Sequence, residues 1–252
     1  MVQGVLQALA VCVSLAGAAG ALAAQNVCAA QSGASITPVI ELYTSEGCSS
    51  CPPADRWVSG LKSQAAGAAP AVIQAFHVGY WDYIGWVDRF ASPAHTTRQR
   101  QIASWNSQRS IYTPQAVLNG RDWRDWAQAG KSLPVSSETA HAAISLKQIA
   151  EDQFEATVTT DGGAPAAWSA YWTVTENGHS SKVKAGENAG ELLQHDYVVR
   201  QYTPAGDYPN TTAPQRLVLR SVPSTTGHTR LVNLVLFDSK TGKTLQAVAA
   251  AC

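Results

Sequence analysis

Charge is scarce in this chain: Asp, Glu, Lys and Arg make up 14% of 252 residues, well under the usual quarter. Eighteen basic residues balance eighteen acidic ones, so there is no basic surplus to draw a nucleic acid or an anionic membrane surface. No internal repeat, heptad pattern or low-complexity tract is present, which excludes solenoid, coiled-coil and disordered classes. Methionine occurs once, at position 1, and residues 1–23 carry no charged side chain at all. That opening stretch is apolar from Val5 to Leu22 and closes on Ala21-Leu22-Ala23, a small-x-small pattern; it reads as a signal peptide cut after Ala23. A membrane anchor is the competing reading, weakened by the Ala and Gly content. The expectation is a periplasmic or secreted protein with no membrane contact after cleavage.

Cysteine is sparse but placed. Cys12 leaves with the signal, and Cys28, Cys48, Cys51 and Cys252 remain, an even number that suits an oxidising compartment. Cys48-Ser49-Ser50-Cys51-Pro52-Pro53 follows the apolar run Val39-Ile40-Glu41-Leu42-Tyr43, which suits a buried strand, and the polar turn Thr44–Gly47. A helix starting at the cysteines would hold the first sulfur against free N–H groups and a positive helix end, which favour thiolate over thiol. Cys48 is then the nucleophile and Cys51, three residues on, the resolving thiol. Prolines just inside the helix lose no useful hydrogen bond. Cys28 and Cys252, left near the two ends, are either a structural disulfide that ties the tail to the start of the mature chain or two unrelated thiols.

The run from Glu41 to Asp55, FHVGYWDYIGWVDRFASP at 76–93, RQR at 98–100, YTPQAVLNGR at 112–121 and GENAGELLQHDYVVR at 186–200 together resemble a thioredoxin-fold family of secreted bacterial proteins of unknown function, DUF1223. The resemblance implies an α/β thioredoxin-like domain and leaves the reaction open. It also implies a cis bond at Thr113-Pro114, where a proline opens a strand that Asn119-Gly120 closes; a cis bond there would leave backbone exposed for pairing with a substrate segment.

Along the chain, 24–35 is a short polar leader and 36–135 the thioredoxin-like domain. It contains a helix over 54–64, a parallel strand over 71–78, an aromatic loop over 79–91 that is either a lid over the cysteines or a core plug, and a helix from Pro93 to about Gln108. That helix is expected to turn Arg98, Arg100 and Arg109 outward and Ile102 and Trp105 inward. From 136 to 252 the period changes to two. Strands over 144–148, 154–160, 167–175, 196–202, 215–222, 231–238 and 244–249 suggest an all-β sandwich-like domain, α+β overall.

Three functions follow. The first is thiol–disulfide oxidoreductase chemistry with protein or small-molecule thiols, using Cys48, Cys51, Thr113, Pro114 and, as proton acceptor when Cys51 attacks, Glu41 or Glu46, with Glu41 preferred. The second is a soft-metal (copper) binding protein or metallochaperone using Cys48, Cys51 and His77. The third is a non-enzymatic binding module carried by the β half. A relay of His77 with Asp82 would need a nucleophile other than Cys48, and none is indicated. His195-Asp196 sits in a segment expected only to pack one half onto the other. Cofactors are not expected outside the copper alternative.

Overall fold

The computed structural model describes residues 1, 28–62, 71–130 and 132–252. Of the stretch read as a signal peptide, all but residue 1 therefore lies outside the described residues. Strand β2 (Val39–Thr44) is buried along its whole length, Glu41 and Thr44 included. It leads through the turn 45–51 into α1 (Pro52–Gly60), with Pro at the first position and Cys51 at the cap. β3 (Val72–His77) returns parallel to β2 in the register Thr44↔His77, closing a βαβ unit. The next helix, α2 (Pro93–Trp105), is capped by Ser92, whose hydroxyl accepts from Ala94 N–H. β4 (Gln115–Leu118) runs antiparallel to β2 and β5 (Arg121–Asp122) closes that hairpin through Asn119-Gly120, both at positive φ.

Within the stretch read as a short polar leader, three residues form strand β1 (Ala29–Gln31). It pairs with β6 (Ala142–Ala150), so its backbone groups find partners in a sheet edge. The period-two region yields β7 (Gln153–Thr160), β8 (Ala167–Glu176), β11 (Val198–Pro209), β12 (Gln215–Arg220), β13 (Arg230–Asp238) and β14 (Thr244–Ala251). A short hairpin of β9 (His179–Lys182) and β10 (Leu192–His195) was not expected.

Two large sheets result. One has the order β1-β6-β7-β12; the other, with eight strands, runs β14-β13-β8-β11-β3-β2-β4-β5. A cluster of Ile144, Leu146, Phe154 and Leu219 from the first against Trp168, Trp172, Val232 and Leu234 from the second makes the core between them. The larger sheet takes strands from both sides of residue 135. It is joined where β11 meets β3 in parallel at Val198↔Ala75, with Ala75 N–H donating to Tyr197 O at 2.8 Å. Around β2 the pleat sorts side chains: Ile40 and Leu42 pack with Ala54 and Val58 of α1, while Val39 and Tyr43 pack with Ile102 of α2 on the opposite face. The molecule is α+β, mostly sheet, and among the described residues no helix is long and apolar enough to cross a membrane.

Arg98 does not face solvent. It is buried on the sheet side of α2 and pairs with Glu41, its Nη2 donating to Oε1 at 2.8 Å. The helix buries His95, Thr96, Arg98 and Gln99 alongside Ile102, so its inner face is largely polar and no apolar stripe announces it.

Candidate functional site

Cys48 and Cys51 are joined in a disulfide at the mouth of α1, with Cα atoms 5.5 Å apart. The turn holds itself: Cys48 N–H donates to Ser45 O, Cys51 N–H to Cys48 O, and Asp55 N–H to Cys51 O. Both cysteines are buried, 1% and 0% exposed. Cys48 Sγ lies 3.3 Å from Ser50 Oγ. Thr113-Pro114 is cis. The register Tyr43↔Gln115 sets that bond beside the end of β2 from which the cysteine turn leaves.

Two segments cover the pair. The aromatic loop lays Trp81 over Gly47, where a Cβ would meet Trp81 Cβ at 3.1 Å, and Trp81 Nε1–H donates to Thr113 Oγ1 at 2.8 Å. The loop is thus a cover at Trp81, Ile84 and Trp86, while Phe90 alone of its rings is fully buried and Tyr83 is open to solvent. The second segment is the tip of the β9–β10 hairpin. Asn188 Nδ2 donates to Glu46 O at 2.8 Å and to Cys48 O at 3.1 Å, and Ser49 N–H donates to Glu187 Oε2 at 2.9 Å. That carboxylate occupies a free N–H group that the sequence left for a thiolate. Residues of the GENAGE stretch, expected only to pack the two halves together, therefore hold the cysteine turn directly.

Glu41 is not at the cysteines. It projects from β2 toward α2, on the face opposite Thr44 and α1, where it accepts from Tyr43 Oη at 2.6 Å, from Arg98 and from Tyr171 Oη at 3.2 Å. With burial first and the Glu41 charge second, both phenols are held well above their ordinary pKa. The carboxylate is fully engaged and leaves no capacity for a thiol.

Beneath the disulfide, on the α1 face, sequence reading missed a buried cluster of ionisable groups. Asp55, one helical turn past Cys51, accepts from Thr44 Oγ1 at 3.0 Å. His77 Nδ1 is 2.6 Å from Asp88 Oδ2, which also accepts from Glu46 N–H at 2.9 Å. The ring of His195 stands edge-on to that of His77 with centroids 4.8 Å apart, and its Nε2 is 3.3 Å from Glu46 Oε1 without hydrogen-bond geometry. Glu46 Oε2 accepts from Trp86 Nε1–H at 2.7 Å. Burial raises the pKa of Asp55 against the opposing pull of His195 and His77. For His77 burial is the largest cause and acts the other way, but Asp88, with Asp55 and Glu46 beside it, outweighs it and the ring is raised; Asp88 is lowered against its own burial by His77 and by the Glu46 and Phe90 N–H groups. Glu46 is lowered despite burial through its contacts with His195, Ser181 and Trp86. His77 Nε2, both ring nitrogens of His195 and Glu46 Oε1 have no hydrogen-bond partner.

The expected copper set is not assembled. Both sulfurs are spent in the disulfide, His77 is turned to Asp88, and among the described residues no three His, Cys, Asp or Glu side chains are arranged to hold a metal ion. His77 takes Asp88 as its partner in place of Asp82. Cys28 and Cys252 do meet, as β1 packs against β14, but both are free thiols. Cys28 stands just before β1, where its carbonyl accepts from Gln148 N–H, and Cys252 lies one residue beyond the last paired residue of β14. Burial and the Cys28 thiol push the Cys252 thiol up. The buried acid nearest in sequence to the second cysteine is Asp55, and its spacing of four from Cys51 is the signal by which the sequence could have shown it.

Among curated proteins none matches the chain. The fold is shared with the crystal structure of protein AGR_C_4864 from Agrobacterium tumefaciens, at 22% identity over 86% of this chain and 94% of that one, with a TM-score of 0.60. It is also shared with HBP35 of Porphyromonas gingivalis, at 13% identity over 86% of this chain and 76% of that one, with a TM-score of 0.57. With a family model matching residues 39–235, the chain belongs to the proteins of unknown function DUF1223.

Proposed function

We propose that this protein is an exported thiol–disulfide exchange protein whose first half is a thioredoxin-like unit. The observation that carries the reading is a closed Cys48–Cys51 pair at a strand-to-helix turn, with the cis Thr113-Pro114 bond beside it and a buried acid one turn below. A reducing dithiol attacks Cys48 Sγ as thiolate; a new S–S bond forms, the Cys48–Cys51 bond breaks, and Cys51 leaves as thiolate. Asp55 gives that thiolate its proton. The second thiol of the reductant, once deprotonated, attacks its own sulfur in the mixed disulfide and releases Cys48 thiolate, leaving the reductant oxidised. In the oxidising direction Cys48 thiolate attacks a substrate disulfide and releases one substrate thiolate; Asp55 carboxylate takes the proton of Cys51, which attacks Cys48 Sγ in the mixed disulfide, so the Cys48–Cys51 bond forms and the second substrate thiolate leaves. Raised by burial, Asp55 can hold or release a proton closer to neutral pH than an ordinary aspartate. His77, Asp88, His195 and Glu46 form the charged surroundings through which it is reprotonated.

The test equilibrates the protein with dithiothreitol and with glutathione buffers and counts free thiols by alkylation and mass. Reversible reduction of one disulfide without unfolding is expected, together with loss of exchange with a scrambled disulfide protein in Cys48→Ser. Asp55→Asn should slow release of Cys51 by about 100-fold at pH 7, the lower end for general acid–base catalysis. A bond that resists dithiothreitol until the protein unfolds sinks the proposal. One observation favours that second reading: at 1% exposure Cys48 is shut under Trp81 and Asn188, as a static staple in a binding module would be. Exchange therefore requires the cover to lift.

A further inference from the structure

On the far side of Phe90 lies a second polar site. A cavity of about 480 Å³ is lined by Arg89, Phe90, His179, Arg200, Thr225 and His228. Arg89 is exposed, donates one arm to Ser180 O at 2.8 Å, and has no carboxylate partner among the described residues. Arg200 gives Nη1 to Glu176 at 2.9 Å, and the same oxygen of Glu176 lies 2.9 Å from His179 Nε2. One carboxylate thus serves one arginine and one histidine, and the second arginine is unbalanced. The two guanidinium groups sit over the Phe90 ring, 4.5 and 5.6 Å from its centroid, which fixes their spacing.

The histidines add a condition. His179 and His228 stack face to face with centroids 3.9 Å apart at 14°. His228 Nδ1 is 2.8 Å from Asn177 O, a carbonyl that can only accept, so Nδ1 carries the hydrogen. Its Nε2 is then a bare lone pair in the neutral ring and becomes a donor only on protonation. His179 is in the same position, with Nε2–H held by Glu176 and Nδ1 bare. Two stacked rings this close repel when both are charged, unless an anion lies against them. The groups that face them are Glu176 on β8, Arg200 on β11, Arg89 from the aromatic loop, His195 across the hairpin and Asp196, which accepts from Gly178 N–H.

We propose that this cavity binds a doubly charged tetrahedral oxyanion, a sulfuryl or phosphoryl group, on Arg89, Arg200 and the His179–His228 stack, and that binding draws a proton onto the stack. The site does not depend on the thiol reading and stands or falls without it. Burial, with Arg200 and His228 beside it, lowers the pKa of His179 in the empty site; a dianion reverses that field. Guanidinium groups suit the oxygens of such an anion because each can present two N–H donors at once.

Sulfate is the probe, because its charge does not change between pH 6 and pH 8. Calorimetric titration at constant ionic strength in chloride should show one saturable site per chain, about tenfold tighter at pH 6 than at pH 8, with net proton uptake on binding. Arg89→Ala should weaken it at least tenfold. In the unsubstituted protein the ring resonances of His179 and His228 should shift with sulfate and titrate at higher pH in its presence. Inorganic phosphate and glycerol phosphate are the two further arms. Binding of both assigns a free anion or its esters, and binding of the ester alone assigns a phosphorylated small molecule. Absence of saturable binding above chloride, affinity that is flat with pH, or unchanged affinity in Arg89→Ala with unmoved histidine resonances would overturn the proposal.

Discussion

Strand β2 and the turn that follows it bury two glutamates, and the two fare differently. Glu41 faces α2 and is saturated: Arg98, Tyr43 and Tyr171 supply hydrogen bonds to both of its oxygens. Glu46 sits on the other side among Asp55, Asp88, His77 and His195, where several ring nitrogens and one carboxylate oxygen have no partner. Buried polar groups cost free energy unless satisfied, so the first network is what packing alone would select. The second, on the reading proposed above, is kept incomplete because protons move through it. Completeness of pairing, more than burial or charge, separates the two networks in this molecule.

The largest way to break that contrast is Arg98→Met, which strands the Glu41 charge in the core. It should cost about 3–5 kcal/mol of unfolding free energy in denaturant titration, and adding Glu41→Gln should recover part of it. Asp88→Ala comes next: it removes the acceptor of His77, Glu46 N–H and Phe90 N–H and should cost about 2–3 kcal/mol. A cost near zero would place the second network outside the fold's support. Asn188→Ala should cost about 1–2 kcal/mol and speed alkylation of Cys48 in the reduced protein, since it removes two bonds that hold the cover down. An unchanged alkylation rate would show that the hairpin tip does not guard the sulfur.

The smallest effect is in pH. The His77 pKa is raised in the folded state, so its contribution is full below the unfolded value of about 6.5 and is lost as pH rises through the folded one. Asp88 is lowered, so its contribution is present above about 3.9 and is lost as pH falls through its folded value. Unfolding free energy should therefore decline above pH 6.5, and His77→Gln should flatten that decline. A wild-type profile already flat there would separate His77 from Asp88.

Much of the sheet was legible because period-two alternation survives wherever one face is covered: β6 alternates buried and exposed from Ala142 to Lys147. The cysteine turn and the proline hairpin were legible from their residue types. What failed was facing. Every residue of β2 is buried, so nothing in its pattern says which way Glu41 points. α2 covers the sheet with His, Thr, Arg and Gln, so its wheel gave Arg98 to solvent. The β9–β10 hairpin is short and polar, and its role comes from contacts more than a hundred residues distant, such as Asn188 with Cys48, which no local pattern encodes.

The single parallel junction of β11 on β3 has a practical consequence. A truncation near residue 135 would strip the flank of β3 and leave its Ala75 amide and its neighbours as a bare template for strand addition. Such a fragment should self-associate, and the shortest soluble form of this protein should be one that retains β11 and the strands that hold it in place.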